Sequence, residues 1–229
     1  MTFEARSMQV GQAEVMADRS GALYLPAERT LIVADLHLEK GSAFAARGIM
    51  LPPYDTRETL RRLADVLSRY RPVCVIALGD SFHDAGARER LPPDEATELR
   101  RLQARQDWIW ITGNHDPQVS PCLGGEVRES LELGRLTLRH EPSQAPSRGE
   151  IAGHLHPAAR VALKGTGLRR PCFVGNGDRL VMPAFGAFTG GLNVLDEAFA
   201  PLFPEARVEI HVLGSNGVYP VAPSSLCPD

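Results

Sequence analysis

Apolar positions fall into two regimes along the chain. Up to residue 116, strand-length apolar runs alternate with longer stretches whose apolar residues recur at helical spacing. From residue 126 onward, strand-like runs follow one another with few helices between them. In the first regime AEVMAD (13–18), ALYLP (22–26) and TLIVADLH (30–37) read as short strands, with DRSG (18–21) as a hairpin turn. EKGSAFAARG (39–48) predicts a short helix that Gly48 ends, and LPPYD (51–55) a proline-marked loop. In TRETLRRLADVLSRYRP (56–72), Leu60, Leu63, Val66 and Leu67 form an apolar stripe opposite the arginines, and Pro72 follows the end. VCVIALGD (73–80) is an apolar run of strand length, as expected of a strand covered on both faces. PPDEATELRRLQARQ (92–106) carries proline and acids in the first turn of a predicted helix. DWIWITGNHD (107–116) is a further buried strand running into a loop.

The second regime holds VRESLELGRLTLRHE (127–141), GEIAGHLHP (149–157), ARVALKG (159–165), RPCFVGNGDRLVMPAF (170–185) and ARVEIHVLG (206–214) as successive strands. EPSQAPSRGE (141–150) reads as a surface loop and VGNGD (174–178) as a hairpin turn rather than a phosphate loop, since no helix follows it. The expectation is an α/β (α+β) chain of two mixed sheets with helices outside, forming one domain over residues 1–229.

Composition changes this picture little. Hydrophobic residues at 43% and charged residues at 23% are those of an ordinary globular chain. A net charge of −3 provides no global basic field, so a nucleic-acid partner would need a local patch or bound cations. Cys74, Cys122, Cys172 and Cys227 are scattered without a CxxC pair, which predicts a reduced protein without a thiolate zinc site. The start MTFEARSMQV is not that of a signal peptide, and no run reaches the roughly 18–20 apolar residues of a membrane span. A soluble, cytoplasmic protein is expected.

The chemistry collects at the ends of the apolar runs. Six of the seven histidines lie in five short polar clusters: Asp35 and His37 in DLH, Asp80 and His83 in GDSFHD, Asn114 and His115 in GNHD, His140 in RHE, and His154 and His156 in GHLH. His211, within VEIHVLG, reads as a satisfied strand histidine. Ligands of α/β sheets gather outside the carboxyl ends of strands, and neutral imidazole with carboxylate suits Zn, Mn or Fe. DLH and HLH each place two candidate ligands at i and i+2, positions that share one face of a strand, so both could meet one ion. Two carboxylates, an amide and four or five imidazoles exceed the needs of one tetrahedral ion and suit two, about 3.5–4 Å apart, as in phosphate-ester hydrolysis.

The ordered set D-x-H, GD, GNH, H and G-H-x-H over Asp35 to His156 resembles that of the calcineurin-like metallophosphoesterases. The surrounding residues VADLHLEKG, GDSFHD, GNHDP and GHLHP are most similar to the bacterial ligase-associated DNA-damage-response endonucleases of the PdeM type. That resemblance implies a four-layer αββα sandwich of the metallo-dependent phosphatase type and two divalent ions. Manganese is the expected ion, with Zn²⁺, Fe²⁺ or Mg²⁺ as alternatives. It implies a phosphodiesterase, acting on DNA in repair as an endonuclease, with functional links to a DNA ligase, a helicase and an exonuclease, and no membrane. Asp35, His37 and His156 would bind one ion, Asn114, His140 and His154 the other, and Asp80 would bridge. A metal-bridging hydroxide, from water whose pKa is lowered towards about 7, would attack phosphorus in line while His115 serves the leaving oxygen as general acid.

His83 stands where phosphatases of that superfamily carry an aspartate, which favours diesters over monoesters and gives it a role beside His115. Asp84 and Asp116 read as structural: a surface acid or loop cap, and a turn before Pro117. PAFGAFTGG (183–191) either covers the site, lines a substrate groove or is turn chemistry alone, and the arginines of LRR (168–170) and of the helices are a solvated face from which a few could meet DNA phosphates. Two other readings stand beside the nuclease: a small-molecule phosphodiesterase or phosphatase, and a non-catalytic scaffold of the same fold.

Overall fold

The computed structural model describes residues 5–118, 123–163, 166–203 and 208–229; Cys122, Lys164, Gly165, Ala206 and Arg207 lie outside them. Among the described residues, seven strands form a first sheet in chain order. They are β1 (Ala5–Val10), β2 (Ala13–Asp18), β3 (Leu23–Leu25), β4 (Thr30–Val33), β5 (Cys74–Leu78), β6 (Asp107–Ile111) and β7 (Glu126–Arg128). β1 to β4 form an antiparallel meander, and from β4 to β7 the neighbours are parallel. The crossovers carry α1 (Lys40–Ala45), α2 (Asp55–Tyr70), α3 (Ala87–Arg90) and α4 (Pro93–Gln103).

The alternation along β4–β6 sets the layers. Leu31, Val33, Val75, Ala77, Trp108 and Trp110 face outward onto Leu60, Leu63 and Val66 of α2 and Leu99 and Leu102 of α4. Ile32, Ile76, Leu78 and Ile111 face inward, onto Leu136, Leu138, Ile151, Phe173 and Leu180 of the second sheet. Both faces of these strands are therefore dry, which is why their sequences read as continuous apolar runs. β1 has no such signature: Arg6, Ser7 and Gln9 are exposed, and its strand form comes from pairing with β2, Ala5↔Asp18 to Val10↔Ala13.

The second sheet is mixed. Its strands are β8 (Ser130–Leu133), β9 (Leu136–Arg139), β10 (Glu150–Ala152), β11 (Pro157–Leu163), β12 (Thr166–Gly175), β13 (Arg179–Val181), β14 (Leu192–Asn193), β15 (Glu209–Leu213) and β16 (Val218–Val221). The order runs β14-β11-β12-β13-β10-β9-β8, and β15 and β16 branch from β12. β10 runs parallel to both β9 and β13, while β12 is antiparallel to β11, β13 and β15. Its outer face, Cys172, Val174, Val181 and Ile210, is covered by Phe199, Leu202 and Phe203 in and after a 3-10 helix at Glu197–Leu202. The expected two mixed sheets with flanking helices are found, the outermost layer being this 3-10 turn. Cys74, Cys172 and Cys227 are free thiols. No helix among the described residues is long and apolar enough to cross a membrane.

Candidate metal centre

Five strands of the two sheets, β4, β5, β6, β9 and β10, deliver their carboxyl ends to one place. Asp35 follows β4, Asp80 follows β5, Asn114 and His115 follow β6, His140 follows β9, and His154 and His156 follow β10. The loops are stitched together past the strand ends: Asp35 N–H donates to Gly79 O at 3.2 Å, His37 N–H to Asp80 O at 2.9 Å and Gly153 N–H to His140 O at 2.9 Å.

The DLH and HLH pairs do not lie on a strand face. Both pairs lie beyond their strands, β4 ending at Val33 and β10 at Ala152. Asp35, His37, His154 and His156 instead have left-handed backbones, with φ of 53°, 43°, 70° and 46°. In a strand, i and i+2 Cα atoms stand ~6.6 Å apart and only the side chains can converge. Left-handed residues on either side of Leu36 and of Leu155 curl the chain and draw the two ends together. Asp80 is held the same way, at φ 46°. Such conformations cost non-glycine residues about 1–2 kcal/mol each, so the surrounding hydrogen bonds hold the loops against their own preference.

The donors fall into two groups. His37 Nε2 lies 3.2 Å from His156 Nε2, which lies 3.3 Å from Asp35 Oδ1. His140 Nε2 lies 3.2 Å from His154 Nδ1, 3.0 Å from Asn114 Oδ1 and 3.4 Å from Asp80 Oδ2. Asp80 Oδ2 is also 3.8 Å from His37 Nε2, so this carboxylate stands between the groups. Donors bound at about 2.0–2.2 Å to one ion are about 3.0–3.6 Å from one another. The spacings therefore fit a pair of divalent ions.

The electrostatics fit as well. Burial, then His156, pushes His37 down to about 3; burial, then His140, lowers His154. Both imidazoles are neutral and keep a lone pair for ligation. Burial opposes the charge on Asp80, but hydrogen bonding and attraction from His140 win and hold its carboxyl at about 2. Against the same burial, Asp80 and Asp35 raise His140 to about 9, so without an ion its ring holds a proton that a metal bound through Nε2 would displace. His140 Nδ1 meets Leu78 O at 3.2 Å, which aims Nε2 into the site. Two glycines make room for this. A Cβ on Gly79 would overlap the His140 ring, and one on Gly113 would overlap the Asp80 carboxylate.

The calcineurin-like phosphoesterase family matches residues 28–168, from just before β4 to within β12. This chain belongs to that family. The crystal structure of the nuclease MPE from Pseudomonas putida is similar over 95% of this chain and 100% of that one, with 29% identity and a TM-score of 0.73. Two further structures are more distant. The phosphoesterase Yfce from E. coli is 15% identical over 84% of this chain and 98% of that one, with a TM-score of 0.43. A predicted phosphoesterase from Streptococcus pneumoniae TIGR4 is 14% identical over 86% and 94%, with a TM-score of 0.30. No curated protein matches.

The nine residues singled out in the sequence as candidate site residues lie together. His115 is exposed, as Asn114 is: its side chain is 40% exposed, and its Nε2 lies 4.0 Å from Asp80 Oδ2. Its N–H donates to Asp80 Oδ1 at 2.8 Å, and its Nδ1 meets the His83 carbonyl at 2.7 Å. The His83 backbone thus fixes the His115 ring, while the two rings stand 5.3 Å apart without a hydrogen bond between them. Burial, then His115, lowers the pKa of His83. Nδ1 of His83, like that of His37, has no partner among the described residues.

Other residues support the phosphoesterase loops. Asp84 is the surface acid expected, paired to Arg90 at 2.6 Å. Asp116 is more than a turn residue. Buried at 4% exposure, it accepts from Ser81 N–H (2.8 Å) and Phe82 N–H (3.1 Å) with one oxygen and from Gly113 N–H (3.0 Å) with the other. It ties the loop carrying Asp80 to the loop carrying Asn114. Glu39, Asp55 and Thr56 also went unmarked in the sequence. Thr56 Oγ1 accepts from Glu39 N–H and donates to Glu39 Oε1, both at 2.8 Å, while Asp55 accepts from Gly41 N–H at 3.0 Å, fastening the segment after His37 to α2. A helix-start acid announces itself; its partner 14 residues back does not. His211 is buried in β15 as expected, but its Nδ1 has no partner among the described residues.

Proposed function

We propose that this phosphoesterase is a two-metal phosphodiesterase that cleaves nucleic acid, acting as a DNA endonuclease in damage repair. The observation that carries the reading is the pair of donor groups meeting at Asp80. The likeness to the Pseudomonas putida nuclease over nearly the whole chain supports the substrate class. In this reading Asp35, His37 and His156 hold one ion, Asn114, His140 and His154 the other, and Asp80 both. Manganese is the ion we assign, consistent with a set of oxygen and imidazole donors without thiolate. Once bound, such ions supply an activated water and neutralise phosphoryl oxygens.

The chain's own groups do the rest. With Nδ1 held by the His83 carbonyl, His115 keeps Nε2 towards the site, where it can hand a proton to the leaving oxygen. The imidazole of His83 replaces a carboxylate beside His115, which lowers the negative charge met by a diester. Residues 1–229 work as one domain, in the cytoplasm, alongside a DNA ligase, a helicase and an exonuclease.

Metal-stripped protein given Mn²⁺, Mg²⁺ or Zn²⁺ and offered a chromogenic diester, the matching monoester, and circular and linear DNA tests the reading. Cutting of circular DNA and of the diester, fastest with Mn²⁺, is expected. Activity on the monoester alone refutes it; the net charge of −3 makes a small-molecule diester the second reading, which turnover of the diester without DNA would select. His115→Ala is expected to keep its metal and lose about 10²–10⁴-fold in turnover.

A further inference from the structure

A cavity of about 140 Å³ opens beside the candidate metal centre, with His156, Pro157, Arg169, Arg170, Thr189 and Gly191 among its walls. His156 is the shared wall: its ring belongs to the first donor group, and its carbonyl accepts from Leu192 N–H at 3.0 Å. β12 brings Arg169 and Arg170 to its wall, and Arg160 stands opposite Arg169 in the register without lining the cavity. Arg169 donates through Nη2 to Gly191 O and through Nε to Asp229 Oδ1 at 3.0 Å. Asp229 is the one carboxylate within ion-pair distance of these three arginines among the described residues. With side chains 41% and 50% exposed, that pair is weak and exchangeable. Asp229 is not itself a wall of the cavity, so an anion there would draw the Arg169 guanidinium from it, and a phosphate meets the guanidinium fork better than one carboxylate oxygen does.

Phe188 precedes Thr189 on the same segment and is 53% exposed. Its φ of 58° is strained for a bulky residue. The backbone around it is fixed: Phe185 N–H donates to Ala34 O at 2.8 Å, Gly186 N–H to Asp35 O at 3.1 Å and Ala187 N–H to Thr59 Oγ1 at 2.9 Å. An aromatic ring held in water on a rigid segment, one residue from a cationic cavity, suits the face of a base.

We propose that this cavity binds the phosphate that flanks the scissile one in a polynucleotide, Arg169 taking it in place of Asp229 while Phe188 stacks on the adjoining base. The inference deepens the nucleic-acid reading and rests on it. Three substrates separate the two: bis(p-nitrophenyl) phosphate, a dinucleoside monophosphate, which has no flanking phosphate, and a trinucleoside diphosphate, which has one. With the Mn²⁺-loaded enzyme, Arg169→Ala is expected to raise KM for the trinucleotide roughly tenfold. The dinucleotide and the chromogenic diester should be unaffected, and Arg169→Lys should restore part of the loss. Asp229→Ala should act in the opposite direction and lower the trinucleotide KM, because the competing carboxylate is gone. Phe188→Ala should raise KM for both nucleotides and leave the chromogenic diester alone. Equal weakening of di- and trinucleotide by Arg169→Ala, or an unchanged trinucleotide KM in Asp229→Ala, overturns the subsite while leaving the nuclease reading intact. Wild-type turnover of the chromogenic diester with no cleavage of either nucleotide overturns both.

Discussion

Replacing Asp116 with alanine should loosen the candidate metal centre without touching a proposed ligand. Its carboxylate is the acceptor for three buried N–H groups, those of Ser81, Phe82 and Gly113. Each buried donor left unpaired costs about 1–3 kcal/mol, and water entering the vacated space recovers part, so about 3 kcal/mol of stability should be lost. For a chain of this size that is a fall of roughly 6–12 °C in Tm. The functional effect follows from position. Ser81 and Phe82 continue directly from Asp80, and Gly113 directly precedes Asn114. Freed loops would present both side chains in several places instead of one. Support of this kind is typically worth about 10–100-fold in metal affinity. Urea or thermal unfolding in chelator reads the first effect, and Mn²⁺ titration calorimetry of the stripped protein reads the second. Asp116→Asn should fall between: its oxygen can serve one loop, while its NH₂ meets the N–H groups of the other. An alanine variant with a Tm within about 2 °C of the parent and unchanged Mn²⁺ affinity would refute the clamp.

Three further outcomes are expected. Gly79→Ala, which drives a Cβ into the His140 ring at a φ of +77°, should lose the ion proposed for His140 and His154, read as metal content per chain dropping from two to one or fewer; full occupancy would count against the packing proposed for Gly79. His83→Asp should move the diester/monoester ratio towards monoesters, and a constant ratio would sink the role given to that imidazole. Burial, then the Glu39 carboxylate, lifts Glu95 from 4.5 to about 7. The folded chain then keeps a proton that the unfolded chain releases, so stability falls as pH rises through that window. Glu95→Gln should flatten the fall, and parallel unfolding curves for parent and variant from pH 4.5 to 7 would refute the assignment.

The legible parts of this molecule were those whose cause is local. Continuous apolar runs such as VCVIAL and WIWI mark strands dry on both faces, and the Leu60–Leu63–Val66–Leu67 stripe marks α2, because one covered face imposes one period. The gathering of polar donors was legible too, since each cluster closes an apolar run and loops converge outside the carboxyl ends of strands. The means of gathering them was not. Left-handed φ at Asp35, His37, Asp80, His154 and His156 is imposed by neighbouring loops against each residue's own preference. Likewise β1 owes its form to β2, and Asp116 finds two of its partners some 35 positions back, at Ser81 and Phe82. Such long-range hydrogen bonds leave no spacing to read.

The missing Cβ of Gly113 is the room in which the Asp80 carboxylate sits, and that of Gly79 is the room for His140. Each motif is in this sense the mould of another. A side chain gained at Gly113 would meet the Asp80 backbone N as well as its carboxylate, and one gained at Gly79 would stand at a φ of +77°, so a smaller neighbour alone rescues neither. Lineages exploring new metals or substrates from this scaffold would have few viable single steps inside the cluster, and more freedom in the surrounding walls, at Arg169, Phe188 and His83.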